Sequence, residues 1–216
     1  MAIEDEILAA LDPDQRAVAL ASRGPVCVIA GAGTGKTRAI THRIAYAAAI
    51  GTMDPAKVLA LTFTAKAAGE MRARLRSLGV PTVAARTIHS AALKQLLYFW
   101  PSVFGGRTPD LMTTKTGFIT EAINRAGLSD SVRVTNRELM RDIASEIEWA
   151  KVSQVAPSDY IDEISKRMQK PRVLPEQMVQ IYTAYESIKK QELAIDFEDV
   201  LLLCAAMLEE EREVRE

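Results

Sequence analysis

The segment Ala30-Gly31-Ala32-Gly33-Thr34-Gly35-Lys36-Thr37 constrains this chain more than any other. It lies between a short β-branched apolar run, Val26 to Ala30, and a stretch without Gly or Pro, Thr37 to Ile50, that stops at Gly51. That order describes a strand, a phosphate-binding loop and a helix with a glycine C-cap. Glycines let successive backbone N–H groups turn toward phosphate oxygens, and the following helix N-terminus adds unpaired donors and partial positive charge. Lys36 is placed to reach β- and γ-phosphates, and the Thr37 hydroxyl to bind Mg²⁺, which takes few protein ligands. The strict pattern has Gly where this chain has Ala30. A glycine-rich turn made only for sheet packing would leave Gly-Lys-Thr at the helix start unexplained.

The rest of the first half repeats the same grammar. Val58 to Thr64 reads as a second strand, followed by a helix on which Ala68, Met71, Leu75 and Leu78 recur at three- and four-residue steps before Gly79 and Pro81. Thr82 to Thr87 reads as a third strand, leading into a helix from about His89 to Phe99. Repeated βα units predict an α/β fold whose parallel sheet is covered on both faces. Gly/Pro-containing residues 101–108 break the pattern, and helices without a strand are expected from there to about Glu192. Thr135 and Glu138 have capping-box spacing for a helix to about Lys151, Pro157 and Pro175 sit near further helix starts, and Asp196 caps an apolar helix to Leu208. Glu209 to Glu216, with five acids and two arginines, carries no fold signal.

Composition narrows the class. With 48% apolar and 25% charged residues in 216, the chain can bury an ordinary core, which excludes disorder and a disulfide scaffold. No apolar run approaches the roughly 18 residues of a membrane span, so a soluble, cytoplasmic protein is expected. Cys27 and Cys204 stand apart and lack metal-ligand spacing. The net charge of −1 hides an asymmetry: residues 1–108 hold 13 Lys+Arg against 7 Asp+Glu, and residues 109–216 hold 14 against 21. A polyanion should prefer the first half, although an excess of this size also fits a solvated face.

Ahead of the first strand, Asp12-Pro13-Asp14-Gln15 permits two readings. A side-chain amide can read the N6 donor and N7 acceptor of adenine. The same residues make a capping box, with Asp12 as N-cap, Pro13 at N1 and Gln15 at N3.

Taken together, Leu11 to Val18, the Ala30 to Arg38 loop and Leu61-Thr62-Phe63-Thr64-Ala65-Lys66-Ala67-Ala68 resemble the N-terminal motifs of superfamily 1 DNA helicases of the UvrD/PcrA/Rep group. That group commonly has Ala at the position of Ala30. Thr87-Ile88-His89-Ser90 resembles its Thr-Phe-His-Ser segment, and Ile195-Asp196-Phe197-Glu198-Asp199-Val200-Leu201 its Asp-Phe-Asp-Asp-Leu segment. Glu146 to Ser153 is similar to actinobacterial UvrD-like paralogues. The resemblance covers essentially the whole chain. It implies that ATP and Mg²⁺ are held by Gln15, by Ala30, Gly31, Ala32, Gly33, Thr34 and Gly35 of the loop, and by Lys36, Thr37 and Arg38. It further implies that single-stranded DNA and single-strand/duplex junctions are met by Phe63, Thr64, Lys66, Thr87 and His89. An aromatic such as Phe63 stacks on any base. Arg72, Arg74 and Arg76 fit phosphate contacts or a solvated helix face equally well. Ala65 and Ile88 stand where the group usually has Asn and Phe, which removes one polar contact and one aromatic. His42 reads as structural.

Hydrolysis also requires an acid for Mg²⁺, a water-positioning residue and an arginine opposite the γ-phosphate. None is evident; Leu193 to Asp196 imitates a strand ending in an acid but continues into a capped helix. The resemblance therefore implies an N-terminal portion. Residues 1–99 would be the first part of a RecA-like domain with an incomplete parallel sheet, 100–192 an inserted all-helical subdomain 1B, and 193–216 the return to the first domain before its Walker B strand. A missing second RecA-like domain would be the natural covering partner of a monomeric chain with an exposed, aggregation-prone sheet edge. Three readings stay open. They are the ATP-binding portion of a 3′ to 5′ helicase of DNA repair near the nucleoid, a nucleotide- and single-strand-binding module without turnover, and the ATPase part of an AddA- or RecB-type helicase–nuclease.

Overall fold

The structure, a computed structural model, describes residues 3–133, 135–168 and 171–215. The chain folds as two compact units, 1–91 and 92–216.

In the first unit α1 (Ile3–Ala9), α2 (Pro13–Leu20) and α3 (Lys36–Ala49) precede β1 (Leu59–Thr62), α4 (Ala65–Ser77) and β2 (Ala84–Thr87). β1 and β2 pair in parallel, Leu59 with Ala84 through Thr62 with Thr87. Parallel strands need a crossover, and α4 supplies it. Its start is fixed by Thr64 Oγ1, which accepts from Ala67 N at 3.1 Å. At its end Gly79 takes φ of 80°, so that Gly79 N reaches Arg76 O and Val80 N reaches Leu75 O. Ile7, Ile44, Ala60, Met71, Leu75 and Ala85 make the core, with Ala68 also buried on the predicted face of α4.

Two expectations for this unit fail. Val26 to Ala30 is not a strand, and the sheet here has two strands rather than three. A strand is a pairing, and among the described residues no ladder includes this run; Ile29 is 96% exposed. Nor is the sheet covered on both faces. Ala60 is buried, whereas Leu59 and Leu61 are 49% and 47% exposed, beside an apolar groove of about 400 Å³ that Val26 and Val28 also line.

Helix α5 (Ile88–Val103) carries the division between the two compact units, which falls at Ala91/Ala92. Pro101 does not stop it, because a missing N–H near the last turn forfeits one hydrogen bond and the helix ends within two residues. The second unit continues with β3 (Asp110–Leu111), α6 (Thr116–Arg125), α7 (Arg137–Val152), α8 (Tyr160–Ser165), α9 (Pro175–Gln191), β4 (Ala194–Ile195), α10 (Phe197–Glu210) and α11 (Arg212–Arg215). β3 pairs with β4 in parallel, so the region expected to be wholly helical contributes one short strand. Its core joins α6, α7, α8 and α9 through Ile119, Ile123, Ile147, Tyr160, Ile181 and Tyr185. Residues 193–215 belong to the same compact unit, where Ile195, Val200, Cys204 and Met207 pack with Leu96 of α5.

The cap of α7 is Asn136, not Thr135: its Oδ1 accepts from Glu138 N and Leu139 N, both at 3.1 Å. The chain end is also more ordered than its charge suggested. Helix α10 runs on to Glu210, α11 follows, and Val214 packs on the apolar side of α10; Glu216 lies outside the described residues. Among the described residues no helix is long and apolar enough to cross a membrane.

Candidate functional site

The glycine-rich loop lies entirely in the first unit. Gly33 and Gly35 have φ of 81° and 84°, a left-handed conformation that costs glycine little and lets the chain turn into α3. Gly35 is the N-cap of α3 and offers no side chain to the first turn, so the leading N–H groups of a 14-residue helix remain available to an anion. Inside the loop, Thr34 Oγ1 donates to Gly31 O at 2.9 Å. Lys36 Nζ donates to Ala30 O at 2.9 Å and Gly31 O at 2.5 Å, so its ammonium is folded over the loop that it would serve.

Helix α2 brings Gln15 to the loop. Asp12 caps α2, its Oδ1 accepting from Gln15 N at 2.8 Å, with Pro13 in the first turn. The expected box is half formed, because the Gln15 side chain leaves its own helix and donates through Nε2 to Thr34 O at 3.1 Å. Gln15, Ala30, Thr34, Gly35 and Lys36 thus line one cleft of about 380 Å³, with Asp12 and Asp14 at its acidic side. Apolar Val18, Val28, Ile29 and Ala39 complete the lining, which suits a base beside the phosphates.

The donor set fits a magnesium polyphosphate. Left-handed glycines admit a backbone cradle, the helix N-terminus is uncapped, and a lysine stands within the loop. Thr37 opens α3 beside it and is exposed. Arg38 is not brought to the cleft; it donates to Ala10 O at 2.6 Å, just beyond the end of α1. His42 is buried with Nδ1 2.8 Å from Arg38 O, and burial holds its pKa below the usual histidine value.

The residues read as a DNA track gather at the C-terminal ends of the paired strands. Thr62 pairs with Thr87, so Phe63 and Thr64 leave β1 beside the point where Ile88 and His89 leave β2. Phe63 is 93% exposed, and Lys66 and His89 are exposed as well. The two threonine hydroxyls are engaged in capping: Thr64 holds α4, and Thr87 Oγ1 accepts from Ser90 N at 3.1 Å. Arg72 donates to Ala85 O at 2.7 Å and ties α4 to β2, which commits it to the fold; Arg74 and Arg76 are exposed.

One polar cluster escaped the sequence reading. In the second unit Lys151 Nζ lies 2.8 Å from both Asp196 oxygens and also contacts Glu186 and Asp199. Lys189 Nζ contacts Glu186 at 2.9 Å, Asp196 at 3.1 Å and Asp199 at 2.6 Å, and Tyr185 OH donates to Asp196 at 3.0 Å. Burial alone would lower Lys151, but the carboxylates of Glu186, Asp196 and Asp199 outweigh it and raise its pKa. Burial would likewise raise Asp196, yet Lys189 and Lys151 hold it well below the carboxylate range. Glu186, Asp196 and Asp199 are close enough to hold a metal ion, but two ammonium groups already sit among them. A signal was present: Lys151 follows Ile143, Ile147 and Ala150 on the buried stripe of α7, and Lys189 follows Tyr185 and Ile188 on that of α9.

Comparison with known proteins accords with this geometry. The family model described as the UvrD/REP helicase N-terminal domain matches residues 11–216. The ATP-dependent DNA helicase UvrD2 of Mycobacterium tuberculosis is 43% identical over 98% of this chain and 31% of its own length. The ATP-dependent DNA helicase PcrA of Bacillus subtilis is 28% identical over 99% of this chain and 28% of its own length, and that of Leuconostoc citreum 31% identical over 84% and 24%. The chain thus spans about a third or less of the relatives it matches.

Proposed function

The chain belongs to the UvrD/REP helicase family, and from that premise we propose that it is the nucleotide-cradling portion of an ATP-driven 3′ to 5′ DNA translocase and helicase of DNA repair. Gln15 recognises the adenine edge. The Ala30 to Gly35 backbone and Lys36 hold the phosphates, and Thr37 gives its hydroxyl to Mg²⁺; the metal, when bound, neutralises charge on the transferred phosphoryl group. Phe63 stacks on a base of single-stranded DNA, and Lys66 and His89 flank the strand at the same sheet edge. In this reading residues 1–99 are the first part of a RecA-like domain, 100–192 its inserted subdomain and 193–216 the return. The cell compartment is the cytoplasm, on the nucleoid.

The observation that carries the proposal is the convergence of Gln15 and Lys36, from different helices, on the cleft beside the glycine loop. The test is Mg²⁺-ATP binding and DNA-stimulated hydrolysis by the purified chain beside Lys36→Ala. Binding that the substitution weakens at least tenfold, with unchanged melting temperature, supports the reading; equal binding by both chains overturns it.

A second reading, nucleotide and single-strand binding without turnover, is favoured by the fate of Asp196, the acid that follows β4: it is enclosed by Lys151 and Lys189. Nucleotide binding without DNA-stimulated turnover selects this alternative.

A further inference from the structure

We propose that Gln15 is a positioning residue for the phosphate loop: by fixing the Thr34–Gly35 peptide it governs the affinity of the phosphate subsite even for a ligand that carries no base. The proposal rests on the nucleotide reading above and goes past adenine recognition.

The loop's other side-chain bonds, from Thr34 to Gly31 and from Lys36 to Ala30 and Gly31, start and end within residues 30–36. Bonds of that kind shape the loop but do not fasten it to the body of the unit. The Gln15 bond crosses 19 residues of sequence and comes from α2, whose first turn is itself held by the Asp12 cap. α2 in turn packs extensively along α3, the helix that the loop opens. Gln15 therefore clamps the loop at the Thr34–Gly35 peptide, one peptide before Lys36.

Space at the clamp is tight. A Cβ built on Gly35 would lie 2.6 Å from Gln15 Nε2, closer than nonbonded atoms approach. Glycine at position 35 thus permits the φ of 84°, and a Cβ there would push the flexible Gln15 amide away from Thr34 O. The clamp also leaves base recognition possible. A primary amide has two N–H donors and an acceptor oxygen, and the Thr34 carbonyl takes one N–H, so one donor and the oxygen remain for a base edge. One side chain can then couple base binding to phosphate binding.

Calorimetric titration of the whole chain with inorganic tripolyphosphate and with ATP, each with Mg²⁺, tests this. The chains compared are wild type, Gln15→Met, Gly35→Ala and the double variant, with thermal melts to establish folding. Loss of one neutral hydrogen bond predicts that Gln15→Met weakens tripolyphosphate by about 2- to 12-fold, and ATP by more. Gly35→Ala should weaken tripolyphosphate more in the wild-type background than in Gln15→Met, because its Cβ displaces the amide from Thr34 O and only the former has that bond to lose; the left-handed strain and the crowding by a side chain of the same length are common to both. A general loss of stability would not create that coupling. Unchanged tripolyphosphate affinity in Gln15→Met, or strictly additive effects in the double variant, overturns the proposal and leaves Gln15 a reader of the base alone. If the wild-type chain binds neither ligand, the nucleotide reading falls and this proposal with it, a result distinct from the other two.

Discussion

Lys151 grips Asp196 with its ammonium 2.8 Å from each carboxylate oxygen, and both side chains are almost fully buried, at 4% and 1% exposure. Asp196 is at the same time the N-cap of α10, in a capping box with Asp199, so α7, α9 and α10 meet on one carboxylate. Such a cluster is costly to break from one side, because the partner left behind is a buried charge.

Lys151→Met should therefore destabilise the second unit by about 3 kcal/mol, near the lower end for a broken buried pair because Lys189 remains. Urea unfolding followed by circular dichroism measures it; a loss under about 1 kcal/mol would mean that Lys189 alone suffices. The pH dependence has a definite sign. Asp196 is depressed on folding, so its contribution is complete above the unfolded carboxylate pKa of about 3.9 and is lost as pH falls below it. Lys151 is raised, so its contribution is complete below the unfolded value of about 10.4 and is lost as pH rises above it. The contribution of this pair to the urea midpoint should be flat between these limits, and Lys151→Met should reduce the alkaline fall.

At the start of α7, Asn136→Ala should cost about 1 kcal/mol, since Oδ1 serves two backbone donors, whereas Thr135→Ala should be nearly silent. The same denaturation experiment compares them. Equal losses would return the cap to Thr135.

Phe63 is exposed, so Phe63→Ala should leave the melting temperature unchanged and weaken binding to oligo-dT by about 1–3 kcal/mol, read by fluorescence anisotropy. Its salt dependence should not move. Lys66→Ala should instead lower the slope of log affinity against log salt by about 0.7, the share of one phosphate contact on a single strand. If both variants bind as the wild type does, DNA does not run over this sheet edge.

Local chemistry made much of this chain legible without coordinates. The phosphate loop, the helix stops at Gly51 and Gly79, the caps Asp12 and Asp196 and the buried face of α4 all depend on residues within a few positions of one another, so short-range steric and hydrogen-bonding rules suffice to locate them. Pairing and partner choice are not local. Val26 to Ala30 has the composition of a strand, but a strand forms only against a neighbour, and no local rule supplies one. Gln15 has the spacing of a capping residue, yet its amide turns to Thr34; Arg38 and Arg72 look available to phosphates, yet each is taken by a backbone carbonyl of another segment. Lys151 and Lys189 are ordinary residues in sequence and become a buried ionic core because α9 and the start of α10 bring carboxylates to them. The sequence by itself determined which backbone could cradle phosphate; tertiary structure decided what each long side chain holds, because a flexible charged or amide group takes the nearest unsatisfied partner that folding delivers.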